Sequence, residues 1–295
     1  MSEHQQVLMV GMGKMGGAIA SRLVGAGQTV LGFDLSPVAR ELAAKTGVTP
    51  VQSLAEGLAS SKVVLTSLPD PKAVRAVYSD PGGIVDLLQP GSLVIELSTI
   101  GPVTMREVAS QMVDKVPEVK VVDSPVSGGI EEASLGKLSL MVGGSDDAVE
   151  TARAVLENIG TIHHCGGLGD GKVMKLVNNL VAISNVLGAV EALALADAAG
   201  VDPQVLQSVL SQSGASSYQL NKRLPRVIDH DLAPRFSLAL ATKDLRLALT
   251  LADELSVDLP SGRAVLGRFT QAEDNGWGAQ DMAAVAQFYR YRKMD

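Results

Sequence analysis

The stretch Val7-Leu8-Met9-Val10-Gly11-Met12-Gly13-Lys14-Met15-Gly16 decides how the first half of the chain folds. An apolar run leads into three glycines with the spacing G-x-G-x-x-G. The apolar residues after the glycines recur at helical spacing: Ala18, Ile19, Leu23 and Val24. This pattern predicts a strand, a tight turn and a helix.

A second strand is predicted over residues 29–33, and it ends at Asp34. In a unit of this kind Gly11 permits the tight turn, Gly13 lets the backbone approach a pyrophosphate, and Gly16 lets helix and strand pack closely. Asp34 would accept hydrogen bonds from ribose hydroxyls, and its charge would repel a 2′-phosphate. The unit therefore predicts a dinucleotide site that favours NAD, although Arg40, one turn on, leaves NADP open. The alternative for Asp34 is a residue that only begins the next helix.

Strand and helix patterns alternate after this unit. Further strands are predicted at 63–67, 93–97, 120–123, 138–142 and 161–165, and helices at 38–46, 71–78, 103–113 and 147–159. This alternation predicts an α/β fold, an N-terminal Rossmann domain with a doubly wound, mostly parallel sheet. Ligands of such sheets bind beyond the carboxyl ends of the strands. Four candidate site residues fall there: Leu68, Pro69, Thr99 and Ser127.

The sequence Ser127-Gly128-Gly129 is a candidate anion site. A serine hydroxyl and consecutive glycine N–H groups can bind one carboxylate together. The alternative is an ordinary glycine turn.

A long apolar helix is predicted over residues 172–199, after the turn Gly169-Asp170-Gly171. Helices at 203–212, 217–223, 238–255, 262–274 and 282–289 follow it. We therefore expect two domains: residues 1–165 form the dinucleotide-binding domain, and residues 166–295 form an all-α substrate and oligomerisation domain with the long helix at its centre.

Lys175 and Asn179 interrupt the long helix and share one of its faces, because they are four residues apart. Burial would lower the pKa of a lysine toward neutrality, and such an amine can donate or accept a proton. The alternative is that Lys175 reaches solvent from near the helix start. Lys243, in the later helix, is either an exposed charge paired with an acid or a second cation of the site.

Composition excludes several classes of protein. The chain has 295 residues, a net charge of -7 and no run of lysine or arginine, which argues against nucleic acid and acidic membrane surfaces. The sequence contains no run of 18 apolar residues, so a membrane span is weakly supported. One cysteine precludes an intrachain disulfide, and we expect a soluble cytoplasmic protein. The adjacent His163, His164 and Cys165 lack a second cluster, so we expect no metal site.

Six motifs together resemble the β-hydroxyacid dehydrogenase family over nearly the whole chain. They are the glycine turn 11–16, Leu68-Pro69, Ser98-Thr99-Ile100, Asp123-Ser124-Pro125-Val126-Ser127-Gly128-Gly129, the segment 169–179 with Lys175, Asn178 and Asn179, and Lys243-Asp244-Leu245. The resemblance implies an NAD- or NADP-dependent enzyme that interconverts a small 3-hydroxy acid and its semialdehyde or keto acid. It also implies a homodimer or homotetramer.

The resemblance assigns roles to individual residues. Lys175 is expected to be the general acid/base and Asn179 its helper, while Ser127, Gly128, Gly129 and Lys243 bind the substrate. The expected cofactor contacts are Gly11, Met12, Gly13, Met15, Gly16, Asp34, Leu68, Pro69, Thr99 and Lys243. Lys175 is expected at the boundary of the two domains, near the nicotinamide.

The chain departs from the family pattern at Glu132, where the family usually has glycine, and at Ser124. If Glu131 and Glu132 face the ligand, they would disfavour a doubly anionic substrate; if they face solvent, they have no effect. Succinic semialdehyde, glyoxylate and threonate-type sugar acids remain alternative substrates. A dinucleotide-binding protein without catalysis and an imine-reducing relative are the alternative functions, and Lys175 speaks against both.

Overall fold

The computed structural model describes residues 6–289. The chain divides into two compact units, the first ending at Lys175 and the second beginning at Leu176. The division falls inside one long helix, Asp170–Ala198.

The first unit contains a nine-stranded sheet. Its strands are β1 Gln6–Val10, β2 Thr29–Phe33, β3 Thr49–Pro50, β4 Val63–Thr66, β5 Leu93–Glu96, β6 Lys120–Asp123, β7 Val126–Ser127, β8 Leu138–Gly143 and β9 Gly160–Gly166. The order is β3-β2-β1-β4-β5-β6-β8-β7, and β9 pairs with β8. The six strands β1 to β6 are parallel to their neighbours in the sheet, whereas β8 runs antiparallel to β6 and β7. The predicted doubly wound, mostly parallel sheet is confirmed.

Strand β1 shows how the sheet is buried on both faces. Val7 and Met9 belong to one apolar core, and Leu8 and Val10 belong to another. Successive side chains of a strand point to opposite faces, so an unbroken apolar run requires cover on both sides. Helices therefore lie on both faces of the sheet.

Eight helices accompany the strands of the first unit before the long helix. They are α1 Lys14–Gly25, α2 Pro37–Ala44, α3 Leu54–Ser60, α4 Pro71–Ser79, α5 Ile84–Leu87, α6 Pro102–Lys115, α7 Ile130–Leu135 and α8 Asp146–Leu156. Sequence periodicity predicted α1, α2, α4, α6 and α8 but not α3, α5 and α7. These three have four to seven residues, too few for a 3.6-residue period to stand out.

The second unit is helical in the part that the structure describes. The long helix α9 Asp170–Ala198 continues into it, followed by α10 Pro203–Ser211, α11 Tyr218–Ile228, α12 Leu238–Glu254, α13 Pro260–Ala272, a π turn Glu273–Trp277 and a 3₁₀ helix Met282–Phe288. The prediction ended α11 too early, at Arg223, because the helix continues through Pro225. The buried carboxylate of Asp281 connects α11 to the loop that follows it. It accepts hydrogen bonds from Arg223 Nε (3.1 Å) in α11 and from Arg235 N (3.0 Å) in the loop.

One helix among residues 6–289, Asp170–Ala198, is long and apolar enough to cross a membrane by length and composition. Its most apolar 18-residue window is 39% buried. The core helix of a soluble protein meets the same criteria, so this single helix is weak support for a membrane span.

The glycine turn between β1 and α1 is closely packed at two of its three glycines. Gly11 has a φ of +88°, and a Cβ there would meet Ser67 O; a Cβ on Gly16 would meet Gly11 O. A Cβ on Gly13 would have no neighbour within 4 Å. Gly11 and Gly16 are therefore required by the fold, whereas Gly13 leaves open space beside the start of α1.

We expect Gly16→Ala to lower the free energy of unfolding by about 1–3 kcal/mol, the usual effect of forcing a methyl group into a packed region. Chemical denaturation measures this loss. Gly25→Ala in the same helix is the matched control, because a Cβ there meets no atom within 4 Å and should leave stability unchanged or raised. Equal stability of both variants would contradict the packing argument.

Candidate functional site

The carboxylate of Asp34 is joined to the glycine turn by hydrogen bonds. Its Oδ2 accepts the Met12 N–H at 2.7 Å, and its Oδ1 accepts the Ser36 N–H at 2.8 Å. Arg40 donates to the backbone oxygen of Asp34. The half-buried carboxylate is thus held in one orientation at the end of β2. This geometry and the open space at Gly13 suit a dinucleotide, with its phosphates at the start of α1 and a ribose beside Asp34.

The turns after β4 and β5 are connected to each other. Ser98 Oγ, at the end of β5, accepts the Leu68 N–H at 2.7 Å. Thr99 is half-buried beside this contact, and Pro69 is exposed. Because β1, β4 and β5 are parallel neighbours, their carboxyl ends lie on the same edge of the sheet. Three predicted cofactor contacts, Leu68, Pro69 and Thr99, therefore share an edge with the glycine turn.

The Ser127-Gly128-Gly129 segment is hydrogen-bonded to a carboxylate of the same chain. Glu132 Oε2 accepts the Gly129 N–H at 2.8 Å, and Glu132 is half-buried, whereas Glu131 is exposed. Gly128 has a φ of +135°, a conformation that favours glycine. One of the two N–H groups predicted for a substrate carboxylate is therefore donated to Glu132, a contact that sequence reasoning left undecided.

The first turn of α9 is attached to the ends of β5 and β6. Asp123, fully buried at the end of β6, accepts the N–H groups of Gly169 (2.6 Å) and Lys172 (2.8 Å). Burial raises the pKa of the Asp123 carboxyl, although nearby Lys172 opposes this shift. The Lys172 ammonium in turn bonds to Glu96 and Ser98 at the end of β5. Lys175, one turn further along α9, is only 9% exposed.

The second unit holds two of the predicted site residues near one acid. Asn179 Nδ2 donates to Asp244 Oδ2 at 2.6 Å, and Lys243 Nζ lies 3.1 Å from Asp244 Oδ1. Asn179 Oδ1 accepts from Asn178 Nδ2 at 2.9 Å. The carboxamide of Asn179 is therefore fixed at both ends. Lys243 is paired with an acid, but it is half-buried and not exposed.

Sequence reasoning assigned no role to Glu96, Lys172 or Asp244. Two of them interrupt an apolar pattern: Glu96 ends the apolar strand β5, and Asp244 lies on the buried face of α12 with Ala241 and Ala248. A charge at a core position was therefore the available signal. The partners of these charges were not readable, because they lie 65 to 76 residues away along the chain.

The histidines of β9 show no metal-binding arrangement. His163 and His164 are exposed, and Cys165 donates to the backbone oxygen of His163. Within residues 6–289 no group of three or more His, Cys, Asp or Glu could hold a metal ion.

Two family models cover the described chain. Residues 6–169 match the NAD binding domain of 6-phosphogluconate dehydrogenase. Residues 169–289 match the model described as NAD-binding of NADP-dependent 3-hydroxyisobutyrate dehydrogenase. The two matches meet at Gly169, where the turn before α9 begins.

Similar proteins span nearly the full length of the chain. A probable mitochondrial 3-hydroxyisobutyrate dehydrogenase of Dictyostelium discoideum is 35% identical, covering 97% of this chain and 91% of its own. The 2-(hydroxymethyl)glutarate dehydrogenase of Eubacterium barkeri is 31% identical, covering 98% and 96%. The solved 3-hydroxyisobutyrate dehydrogenase of Mycobacterium tuberculosis with L-serine has a TM-score of 0.89 at 31% identity, covering 97% and 99%. The resemblance read from the six motifs is thereby confirmed, and the chain belongs to the β-hydroxyacid dehydrogenase family of NAD(P)-dependent oxidoreductases.

Proposed function

We propose that the protein interconverts a small 3-hydroxy acid and its semialdehyde or keto acid, as a 3-hydroxyisobutyrate dehydrogenase or 2-hydroxy-3-oxopropionate reductase does, with Lys175 as general acid/base. One observation supports the proposal: Lys175 is a buried lysine in the second turn of a helix whose start is bonded to the ends of β5 and β6. A buried amine placed beside the nicotinamide would have the chemistry that alcohol oxidation requires.

The bound nicotinamide would accept or supply the hydride. Lys175 Nζ would take the hydroxyl proton during oxidation and return it during reduction. Ser127 and Gly128 would hold the substrate carboxylate, and the fixed carboxamide of Asn179 would assist Lys175. Lys243 would add a second cation, held by Asp244 at 3.1 Å.

Asp34 supports a preference for NAD over NADP. Two backbone N–H groups hold its carboxylate in place, so the negative charge remains beside the expected ribose. A 2′-phosphate there would meet like charge. Arg40 is bonded to the backbone of Asp34, so this guanidinium is the group through which NADP would still be accepted.

A panel of hydroxy acids assayed by NADH or NADPH formation tests the activity, and we expect a higher kcat/KM with NAD than with NADP. Succinic semialdehyde, glyoxylate and threonate-type acids belong in the panel. Lys175→Ala should lower kcat by about 10²- to 10⁴-fold, the usual contribution of a general acid or base. Dinucleotide affinity should be unchanged.

Lys45→Ala is the matched control, because Lys45 is an exposed lysine at the end of α2 and its loss should leave kcat unchanged. If Lys175→Ala retains most of the wild-type activity, Lys175 is not the general acid/base. Tight dinucleotide binding without turnover of any acid would favour a protein that binds the cofactor and catalyses nothing.

We further propose that Glu132 disfavours substrates with a second carboxylate, since its own carboxylate already occupies the Gly129 N–H at 2.8 Å. Glu132→Gln removes the charge and keeps an acceptor oxygen. It should raise kcat/KM for 2-(hydroxymethyl)glutarate relative to 3-hydroxyisobutyrate and L-serine by about tenfold, or ~1.4 kcal/mol. This change in relative kcat/KM is smaller than the change expected for a fully buried charge, because Glu132 is partly exposed to solvent, which weakens its electrostatic interactions.

Glu131→Gln is the control for Glu132, since it removes an adjacent but exposed charge and should leave the substrate ratio unchanged. The same change in both variants would show that general charge, and not the contact with Gly129, controls the ratio.

We propose a cytoplasmic homodimer or homotetramer. Apolar side chains on α9 and α10 support an assembly surface on the helical unit: Val181 is 56% exposed, Leu195 73%, Val205 55% and Val209 57%. Light scattering should give a molar mass of two or four chains of 30.6 kDa. A monomer at micromolar concentration would refute this proposal.

A further inference from the structure

The ammonium of Lys172 is completely buried and fully hydrogen-bonded. It donates to Glu96 O at 2.8 Å, to Ser98 O at 2.8 Å and to the Glu96 carboxylate. Both side chains of the ion pair have zero exposure. A lysine has three N–H donors, so these three acceptors use all of them. One side chain of α9 thus attaches the helix to the end of β5 at three points.

The same network extends to the two turns that carry predicted cofactor contacts. Glu96 Oε1 accepts the Ser98 N–H at 2.9 Å, and Ser98 Oγ accepts the Leu68 N–H at 2.7 Å. Thr99 follows Ser98 directly. The Lys172–Glu96 pair therefore contacts the Thr99 turn directly, through Ser98. It is connected to the Leu68 turn through the hydroxyl of the same serine.

The network also fixes the start of α9, where Lys175 lies. The Lys172 N–H donates to Asp123 at 2.8 Å, so backbone and side chain of Lys172 are held by different strands. Residues three apart in a helix lie on neighbouring turns of one side. The hydrogen bonds of Lys172 therefore fix the helix turn from which the Lys175 side chain extends.

We infer that Lys172 and Glu96 are positioning residues, which set the placement of the Lys175 amine against the turns at Leu68 and Thr99. This inference rests on the proposed function of Lys175. It differs from a purely structural role of the pair, because the attachment itself, and not only the stability it provides, is needed for turnover.

Three variants separate positioning from stability: Lys172→Met, Glu96→Gln and the double variant. Removing one partner leaves a buried charge unpaired and should lower Tm strongly, whereas the double variant removes both charges of the pair and should recover part of the loss. The recovery is partial because Lys172 also stabilises the charge of the buried Asp123 carboxylate. The double variant still lacks the attachment. We expect its kcat to stay about 100-fold below that of the wild type, the scale of a misplacement of about 1 Å.

Thr66→Val is the matched control. Thr66 is fully buried, and its Oγ1 lies 3.3 Å from Glu96 Oε1 and 2.8 Å from the Tyr78 hydroxyl, so these hydrogen bonds join β4 to β5 and α4 and not to α9. This variant should lower Tm through the same network while kcat remains that of the wild type. Assays well below the lowest Tm keep all four variants folded.

Hydrogen–deuterium exchange provides a readout independent of catalysis. Amides of residues 169–175 should exchange faster in the double variant than in the wild type and in Thr66→Val. A double variant with recovered Tm, wild-type kcat and unchanged exchange would overturn the inference. If the wild-type protein turns over no acid of the panel, the proposed function fails, and the exchange data still decide whether Lys172 orders the start of α9.

Discussion

A charged group that is buried away from water must make all of its hydrogen bonds to other groups of the protein. This constraint determines how the long helix is attached to the sheet of the first unit. The ammonium of Lys172 has zero exposure, and its acceptors all come from residues 96 and 98 at the end of β5. Leaving either charge buried and unpaired would be strongly destabilising, so placements of the helix start that separate this pair are disfavoured. The carboxylate of Asp123 adds a second attachment from β6 through two backbone N–H groups. The start of α9 is therefore defined by polar satisfaction, whereas the sheet beneath it is defined by apolar burial.

The parallel sheet explains why distant motifs meet. Strands β1, β4, β5 and β6 pair in parallel, so the turns that follow them emerge at one edge. The four apolar residues of β1, residues 7–10, each belong to one of two apolar cores, which leaves polar chemistry to the turns. A site of this kind tolerates changes of specificity in the turns without disturbing the cores. Family membership, fold and an NAD(P) cofactor follow from this arrangement and from the matching family models.

Two acids of the first unit are held by backbone N–H groups of nearby turns. The Glu132 carboxylate accepts the Gly129 N–H and so caps the start of α7. Asp34 accepts the N–H groups of Met12 and Ser36, which holds its carboxylate in one orientation beside the glycine turn. Coulomb interactions are weakened by water, so both of these half-buried acids would act more weakly on a bound anion than a fully buried charge would.

The sequence by itself determined the alternation of strands and helices, the glycine turn with Asp34, the long helix and the family, because all of these are local patterns or motifs in a fixed order. It did not determine the short helices such as Leu54–Ser60, which lack a full period, or the passage of α11 through Pro225. The catalytic and binding roles of Lys175, Asn179 and the Ser127 turn remain predictions. Only the tertiary structure decided that Glu96 and Lys172, 76 residues apart, share one buried ion pair. Two charges in separate apolar patterns are visible in a sequence, but their pairing depends on which strand end each one reaches.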